Sequence, residues 1–234
     1  MPLRFFLSPF FLIKHYLTRD IRRLAKEYHF SGDLIDIGCG QKPYRLFFND
    51  ITSYQGIDFP DFSINKDFPG SKPDYFFKKS YRQNYRLPFP DHRFDVAVSF
   101  QVLEHHPQPT LMIKEMLRIT KKNGYLLLSF PLIGGLHEKP DDFQRLTEYG
   151  FLNCLKGQKA KVLEIKKQGS LFSTVALLFN EYLNNFAARN RAAYLVSIII
   201  YPPFLLFSYL ALFLDRLFVS QEIFINYLVL VLKC

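Results

Sequence analysis

The chain has 234 residues, 49% of them hydrophobic and 22% charged, with 26 Phe, 14 Tyr and no Trp. That charged fraction excludes an ordinary multi-span membrane protein, and the length allows one good-sized domain with decoration or two small ones. A net charge of +9 and a pI ≈ 9.4 suit an anionic surface, but no basic block resembles a nucleic-acid arm, so membrane lipid ranks above nucleic acid as a partner.

The opening "MPLRFFLSPFFLIKHYLTRD" has a short apolar run, but Lys14, His15 and Arg19 arrive too soon for a span. It also lacks a small-residue cleavage site, so residues 1–30 are predicted to be an amphipathic helix rather than a signal peptide. From 31 to 130, turn signals and apolar runs alternate as in an α/β domain. "DLIDIG" predicts a buried strand, then Gly-Cys-Gly and a helix through "YRLFF"; "SYQGIDF" predicts a second strand. Residues 60–82 give no clear element. "LPFPDHRF" reads as a turn into "DVAVSF", a short continuous strand of the parallel-sheet kind. "QPTLMIKEMLRITKKNG" has helical spacing, basic residues in its last turn and a Gly stop, and "YLLLSFP" is the next strand. Strand and helix alternate as in a doubly wound parallel sheet.

Beyond 131 the pattern changes. "PLIGGLHEKPDDFQRLT" is a polar loop ending at Thr147, a predicted N-cap for "EYGFLNCLKG", and "AKVLEIKKQG" reads as an edge strand. Residues 171–218 are helical and increasingly apolar, with Pro202-Pro203 near the middle, and the tail "IFINYLVLVLK" is again a strand. Cys39, Cys154 and Cys234 are far apart and odd in number, which favours a reducing compartment; Cys234 does not form a prenylation box. No His/Cys/Asp spacing suggests a metal site. His92 and His106 are expected on exposed turns, and His29 at a helix end.

"LIDIGCG" places an acid at a strand end and glycines in the following turn, where bare backbone lets a ligand approach. "QGIDF" puts Asp58 at the end of the next strand about 22 residues later, where such folds present an acid to ribose hydroxyls.

Together "IDIGCG", "GID", "LPFPDHRFD", "VLEHHPQP" and "KKNGYLLLSFP" resemble the class I S-adenosylmethionine (SAM)-dependent methyltransferases over roughly residues 31–131. The resemblance implies a Rossmann-like, mostly parallel seven-stranded sheet with an antiparallel last strand. It implies SAM as cofactor, with Asp36, Gly38, Cys39 and Gly40 lining the methionine and ribose part of its site. Asp58 would hold the ribose hydroxyls, and Gln101 would sit beside the cofactor after the fourth strand. Glu104 and His105 match a recurrent pair. Two departures stand out. Lys42 occupies the place of the usual third glycine, and "RQNYR" replaces the acid that binds the adenine amino group, so Gln83 or Asn84 accepts that hydrogen bond or it is lost. In the loop after the fifth strand His137 and Glu138 are candidates for base and orienter, and Asp142 and Arg145 for gripping a polar acceptor; the bland alternative pairs Asp142 with Arg145.

In that fold "INYLVLVLK" is the antiparallel last strand, so the catalytic domain comprises 31–170 and 222–234, and 171–221 is an insertion. Ala192–Leu214 carries no charge and is long enough to cross a bilayer, but a single crossing would leave the last strand on the wrong side of its own sheet. The proline pair suggests two half-helices too short to span, flanked by Arg189, Arg191 and Arg216 as head-group anchors. The expectation is an enzyme that O-methylates a lipid-linked or amphipathic acceptor, peripheral or monotopic on the cytoplasmic face of a cell membrane. The alternatives are a soluble acceptor with the apolar helices as a homodimer interface, or a non-catalytic protein retaining the fold.

Overall fold

The computed structural model describes residues 8–60, 71–77 and 85–234. Its first helix is α1 (Phe11–Tyr28), followed by β1 (Gly32–Ile37), β2 (Ile51–Asp58), β3 (Tyr75–Phe76) and β4 (Phe94–Phe100). Then come α2 (Pro109–Ile119), β5 (Thr120–Pro131), α3 (Glu148–Cys154), β6 (Ala160–Gln168), α4 (Leu171–Ala187), α5 (Arg191–Leu217) and β7 (Asn226–Lys233). Among the described residues, seven strands form one sheet in the order β3-β2-β1-β4-β5-β7-β6. The first five are parallel, and β7 runs antiparallel between β5 and β6. This is the predicted doubly wound sheet with a reversed last strand.

The continuous apolar runs in β1, β4, β5 and β7 arise because both faces of the sheet are covered. Leu34, Val96, Val98, Leu127, Leu228 and Leu230 point to one face, where Leu17, Ile21 and Leu24 of α1 pack on them. Their neighbours Ile35, Ala97, Leu126, Leu128, Val229 and Val231 point to the other, beneath Met112, Ile113 and Met116 of α2 and Phe151 of α3. The helix from Phe11 to Tyr28 is amphipathic, with Leu17, Ile21 and Leu24 on the sheet and Phe11, Leu12 and Tyr16 among Ala176 and Leu177 of α4 and Ala211 of α5. Thr147 caps α3 as predicted, its hydroxyl accepting from Gly150 N.

Three local expectations change. The helix through "YRLFF" is a single 3₁₀ turn, Arg45–Phe47, because only residues 41–50 separate the glycine turn from β2. The helix of 108–119 stops at Ile119, where Thr120 turns extended and its hydroxyl bonds Met116 O at 2.7 Å, so β5 starts earlier than predicted. Most consequential, no break occurs at Pro202-Pro203: α5 is one helix of 27 residues. Each proline removes one hydrogen bond to the carbonyl four residues back. Both prolines and Ile199 lie on the outward side, and contacts with α4 continue before and after them, so the lost bonds do not separate the halves.

The faces of α5 are unlike one another. Its buried positions are Ala193, Ser197, Ser208, Ala211 and Asp215, small or polar residues at helical spacing that let α4 approach closely. Asn180 Nδ2 donates to Ser208 Oγ at 2.9 Å across the α4–α5 hairpin. At the base of the hairpin, Asp215 accepts from the backbone N–H groups of Ser170 (2.9 Å) and Phe172 (3.0 Å) at the start of α4, and from Tyr16 OH (3.1 Å) on α1. One carboxylate thus caps α4 and ties three helices together. Asp215→Ala is expected to cost about 3 kcal/mol, since it leaves several buried donors without an acceptor. A lowered urea midpoint for the whole chain would bear this out; an unchanged midpoint would refute it.

Candidate active site

The site begins where β1 ends. Gly38 has φ +71, and a Cβ there would lie 2.3 Å from Val102 Cγ2, so only glycine fits. Gly40 has φ +48 with open space on the side a Cβ would take, leaving its backbone bare. Gly40 N–H donates to Asp58 Oδ2 at 2.6 Å, and Phe59 N–H to Asp58 Oδ1 at 2.7 Å, which fixes the carboxylate at the end of β2 over the turn. Cys39 turns away: its thiol lies against Gly56, and burial pushes its pKa up. Lys42 also adopts a left-handed backbone, φ +56, despite its side chain. Its ammonium, nearly buried, pairs with Asp74 Oδ2 at 2.6 Å, the same oxygen that accepts Gly56 N–H at 2.7 Å. That pairing offsets the backbone strain and explains how the turn persists without a third glycine.

These groups open on a cavity of about 460 Å³ at the carboxyl ends of the parallel strands. Gly38, Gly40, Asp58 and Gln101 line it, with Phe59, Phe77 and Met112 as apolar walls and His105, His106 and Glu138 toward its edge. Gln101, with φ +58, is held by Ser129, whose carbonyl accepts its N–H (3.0 Å) and whose hydroxyl accepts from its side-chain amide (3.1 Å). His106 is only half-buried against the cavity, not on an outer turn as expected, and its ring meets Tyr85 edge-on with centroids 4.3 Å apart. Gln83 and Asn84 lie outside the described residues.

Asp36 departs from its expected place. It is not in the cavity wall but buried, receiving Tyr54 OH at 2.6 Å on Oδ2, and burial pushes its pKa up to about 7. An acid raised in the folded state does not penalise folding when protonated in both states. Its ionisation destabilises the fold as pH climbs from the unfolded carboxylate range toward 7. Asp36→Asn should therefore lose less stability than the parent between pH 5 and pH 8, by roughly 2 kcal/mol. Urea unfolding at the two pH values measures the difference, and parallel curves would refute the assignment.

The loop after β5 brings together residues far apart in sequence. Glu104 is buried, with burial pushing its pKa up to about 8, and neither carboxylate oxygen has a hydrogen-bond partner among the described residues. Its Oε1 lies 3.9 Å from His105 Nε2 and 3.9 Å from His137 Nε2. His105 Nδ1 is 2.7 Å from Asp141 O, and His137 Nδ1 is 3.1 Å from Gly135 O. His105 Nε2 also stands 3.8 Å from Glu138 Oε2. The arrangement differs from a His137 base oriented by Glu138: His137 faces Glu104, while Glu138 and His105 face the cavity. Asp142 and Arg145 bind each other, Arg145 Nη2 to Asp142 Oδ2 at 2.8 Å, and Arg145 holds Asp142 well below the usual carboxylate range. Sequence spacing hid the cluster because 33 residues separate Glu104 from His137, and only the sheet edge brings the two loops together.

A family model described as a methyltransferase domain matches residues 12–161. The chain belongs to this family, the class I SAM-dependent methyltransferases. It is 30% identical over 145 residues to an uncharacterized methyltransferase of Mycobacterium tuberculosis, covering 58% of this chain and 51% of the relative. The match thus spans about half the length of that mycobacterial relative. A tRNA U34 carboxymethyltransferase of Nautilia profundicola is 28% identical over 191 residues, 73% of this chain and 62% of the relative. The fold is similar to coclaurine N-methyltransferase bound to N-methylheliamine and SAH, with TM-score 0.53 and 13% identity over 92% of this chain and 72% of that one. The site fits the family's cofactor on its own geometry: bare backbone at Gly40, an acid fixed at the end of β2, and a cavity within the roughly 300–1,000 Å³ of small-molecule sites. Asp58 would hold the ribose hydroxyls, Gly38 and Gly40 the methionine part, and Phe59 and Phe77 the adenine face.

Proposed function

We propose that this methyltransferase transfers a methyl group from SAM to a hydroxyl oxygen of a lipid-linked or otherwise amphipathic acceptor at a membrane surface. The observation that carries the cofactor half is Asp58, held by Gly40 and Phe59 over the glycine turn at the mouth of the cavity. SAM supplies a methyl group activated by its positive sulfur, and S-adenosylhomocysteine is the product. The chain's own task is then to hold the acceptor oxygen in line and to remove its proton. Glu138, exposed at the cavity edge, is the residue we assign to that proton, with His105 beside it.

The acceptor half rests on the hairpin. Of the most apolar stretch of α5, only 17% is buried, and Leu195, Ile198, Ile199, Leu206 and Phe213 face outward. Leu178, Phe179 and Tyr182 of α4 extend the same surface. So large an unpartnered apolar surface is rare on a soluble monomer. Arg189, Arg191 and Arg216 stand exposed at its ends, suited to anionic head groups. Because β7 returns to the sheet between β5 and β6 after α5, the hairpin would dip into one leaflet and come back. The enzyme would then sit on the cytoplasmic face of a cell membrane.

Calorimetric titration with SAM tests the first half: saturable heat from one site is expected, and none at millimolar cofactor would overturn it. Flotation with anionic phospholipid vesicles tests the second. Co-flotation is expected; a dimer in sedimentation that leaves vesicles untouched would instead assign the apolar face to a second copy.

A further inference from the structure

We infer that Glu104, His105 and His137 form a binding site for one divalent transition-metal ion, zinc or manganese in kind, at the edge of the proposed methyl-transfer cavity. The three donor atoms lie within 4.8 Å of one another. Glu104 supplies the decisive observation. Its side chain is 1% exposed and, among the described residues, both of its oxygens lack a hydrogen-bond partner, an arrangement that burial alone strongly disfavours. A cation is what such a carboxylate lacks.

The imidazoles are set to supply the remaining donors. A carbonyl oxygen only accepts, so the contacts of His105 Nδ1 with Asp141 O and of His137 Nδ1 with Gly135 O put the ring protons on Nδ1. Each Nε2 then keeps its lone pair, and both face Glu104 Oε1 from 3.9 Å. That gap is too wide for a hydrogen bond. Donors about 2.1 Å from a shared ion stand roughly 3.0–3.5 Å apart, so closure needs the donors to approach one another by roughly 0.4–1.8 Å. Backbone carbonyls behind histidine ligands are the partners that fix ring orientation in metal sites generally. Here Asp142, which accepts His137 N–H at 3.0 Å and is clamped by Arg145, holds the second histidine in place. This gives the Asp142–Arg145 pair a positioning role in place of the expected grip on an acceptor.

Two imidazoles and one carboxylate suit zinc, manganese or cobalt better than magnesium or calcium, which prefer all-oxygen sets. Three protein donors leave a coordination position open. His105 lies both in this set and in the cavity wall, so the open position is available to an acceptor oxygen, whose proton the ion would make easier to remove. That last role rests on the methyl-transfer reading; the ion site itself does not.

The test uses the full-length chain without an affinity tag, stripped with chelator and titrated with Zn²⁺, Mn²⁺ and Co²⁺ in turn. One equivalent is expected to bind, with a visible absorption band for the Co²⁺ form. Glu104→Gln and His137→Ala should each weaken binding by about 100-fold, and His92→Ala should leave it unchanged. If Glu104→Gln fails to fold by circular dichroism, His137→Ala, altered at an exposed ring, carries the test. Absence of stoichiometric binding by the parent chain, or equal affinity in parent and His137→Ala, overturns the site. Cofactor titration without metal is the separate control: its failure sinks the methyl-transfer reading and leaves the ion site standing, and the reverse holds.

Discussion

Asp58→Asn is expected to weaken SAM binding by about 100-fold and to lower kcat/KM at least as much. A charge-assisted hydrogen bond contributes roughly 1.5–3 kcal/mol, and two ribose hydroxyls can use this one carboxylate, so about 3 kcal/mol is at stake. Asparagine has nearly the same shape but one acceptor fewer. Asp58 now accepts Gly40 N–H on one oxygen and Phe59 N–H on the other. An amide in its place would set an NH₂ against one of those donors, so the turn itself loses support. Calorimetry gives the affinity and thermal unfolding shows that the chain still folds. Unchanged affinity in a folded variant would remove Asp58 from the cofactor site and with it the main support for the cavity's assignment.

The second large effect concerns the hairpin. Changing Ile199, Leu206 and Phe213 to glutamate together is expected to abolish vesicle binding, a drop of at least 1,000-fold in partitioning. Each apolar side chain transferred from water contributes about 1.5–3 kcal/mol, and each glutamate adds repulsion from an anionic surface. The same three changes should leave folding nearly untouched, since the side chains are 78%, 71% and 55% exposed and outward substitutions of this kind typically cost within about 0.5 kcal/mol each. Flotation, unfolding curves and SAM titration on one preparation separate these effects. A variant that still floats would refute the membrane reading; one that loses SAM affinity would mean the hairpin supports the catalytic half.

Much of the fold was legible because it depends on local pattern. Buried parallel strands need apolar residues on both faces, so "DVAVSF" and "YLLLSFP" announced themselves, as did Thr147 before its helix. The reversed last strand was legible for another reason: the family resemblance fixed its place, and the apolar tail matched it. The expected break at Pro202-Pro203 failed because proline's cost is local, whereas α5 is held along its length by α4 and anchored through Asp215. Asp36 and Cys39 were expected at the cofactor but face Tyr54 and Gly56 instead. A strand's alternation decides which way each side chain points, and the turn decides it for Cys39.

The sequence by itself determined the family, the parallel core and the glycine turn with its acid, because each follows from residues close together in the chain. It also determined that one segment is too apolar for an ordinary loop or surface helix. Only the tertiary structure decided where that apolarity goes: small residues of α5 meet α4, and the large ones are left facing outward. Only the tertiary structure brought Glu104 and His105 against His137, and showed Asp142 clamped by Arg145. Those contacts join loops at the ends of separate strands, and their geometry is set by how the sheet stacks its strands, which no local stretch of sequence encodes.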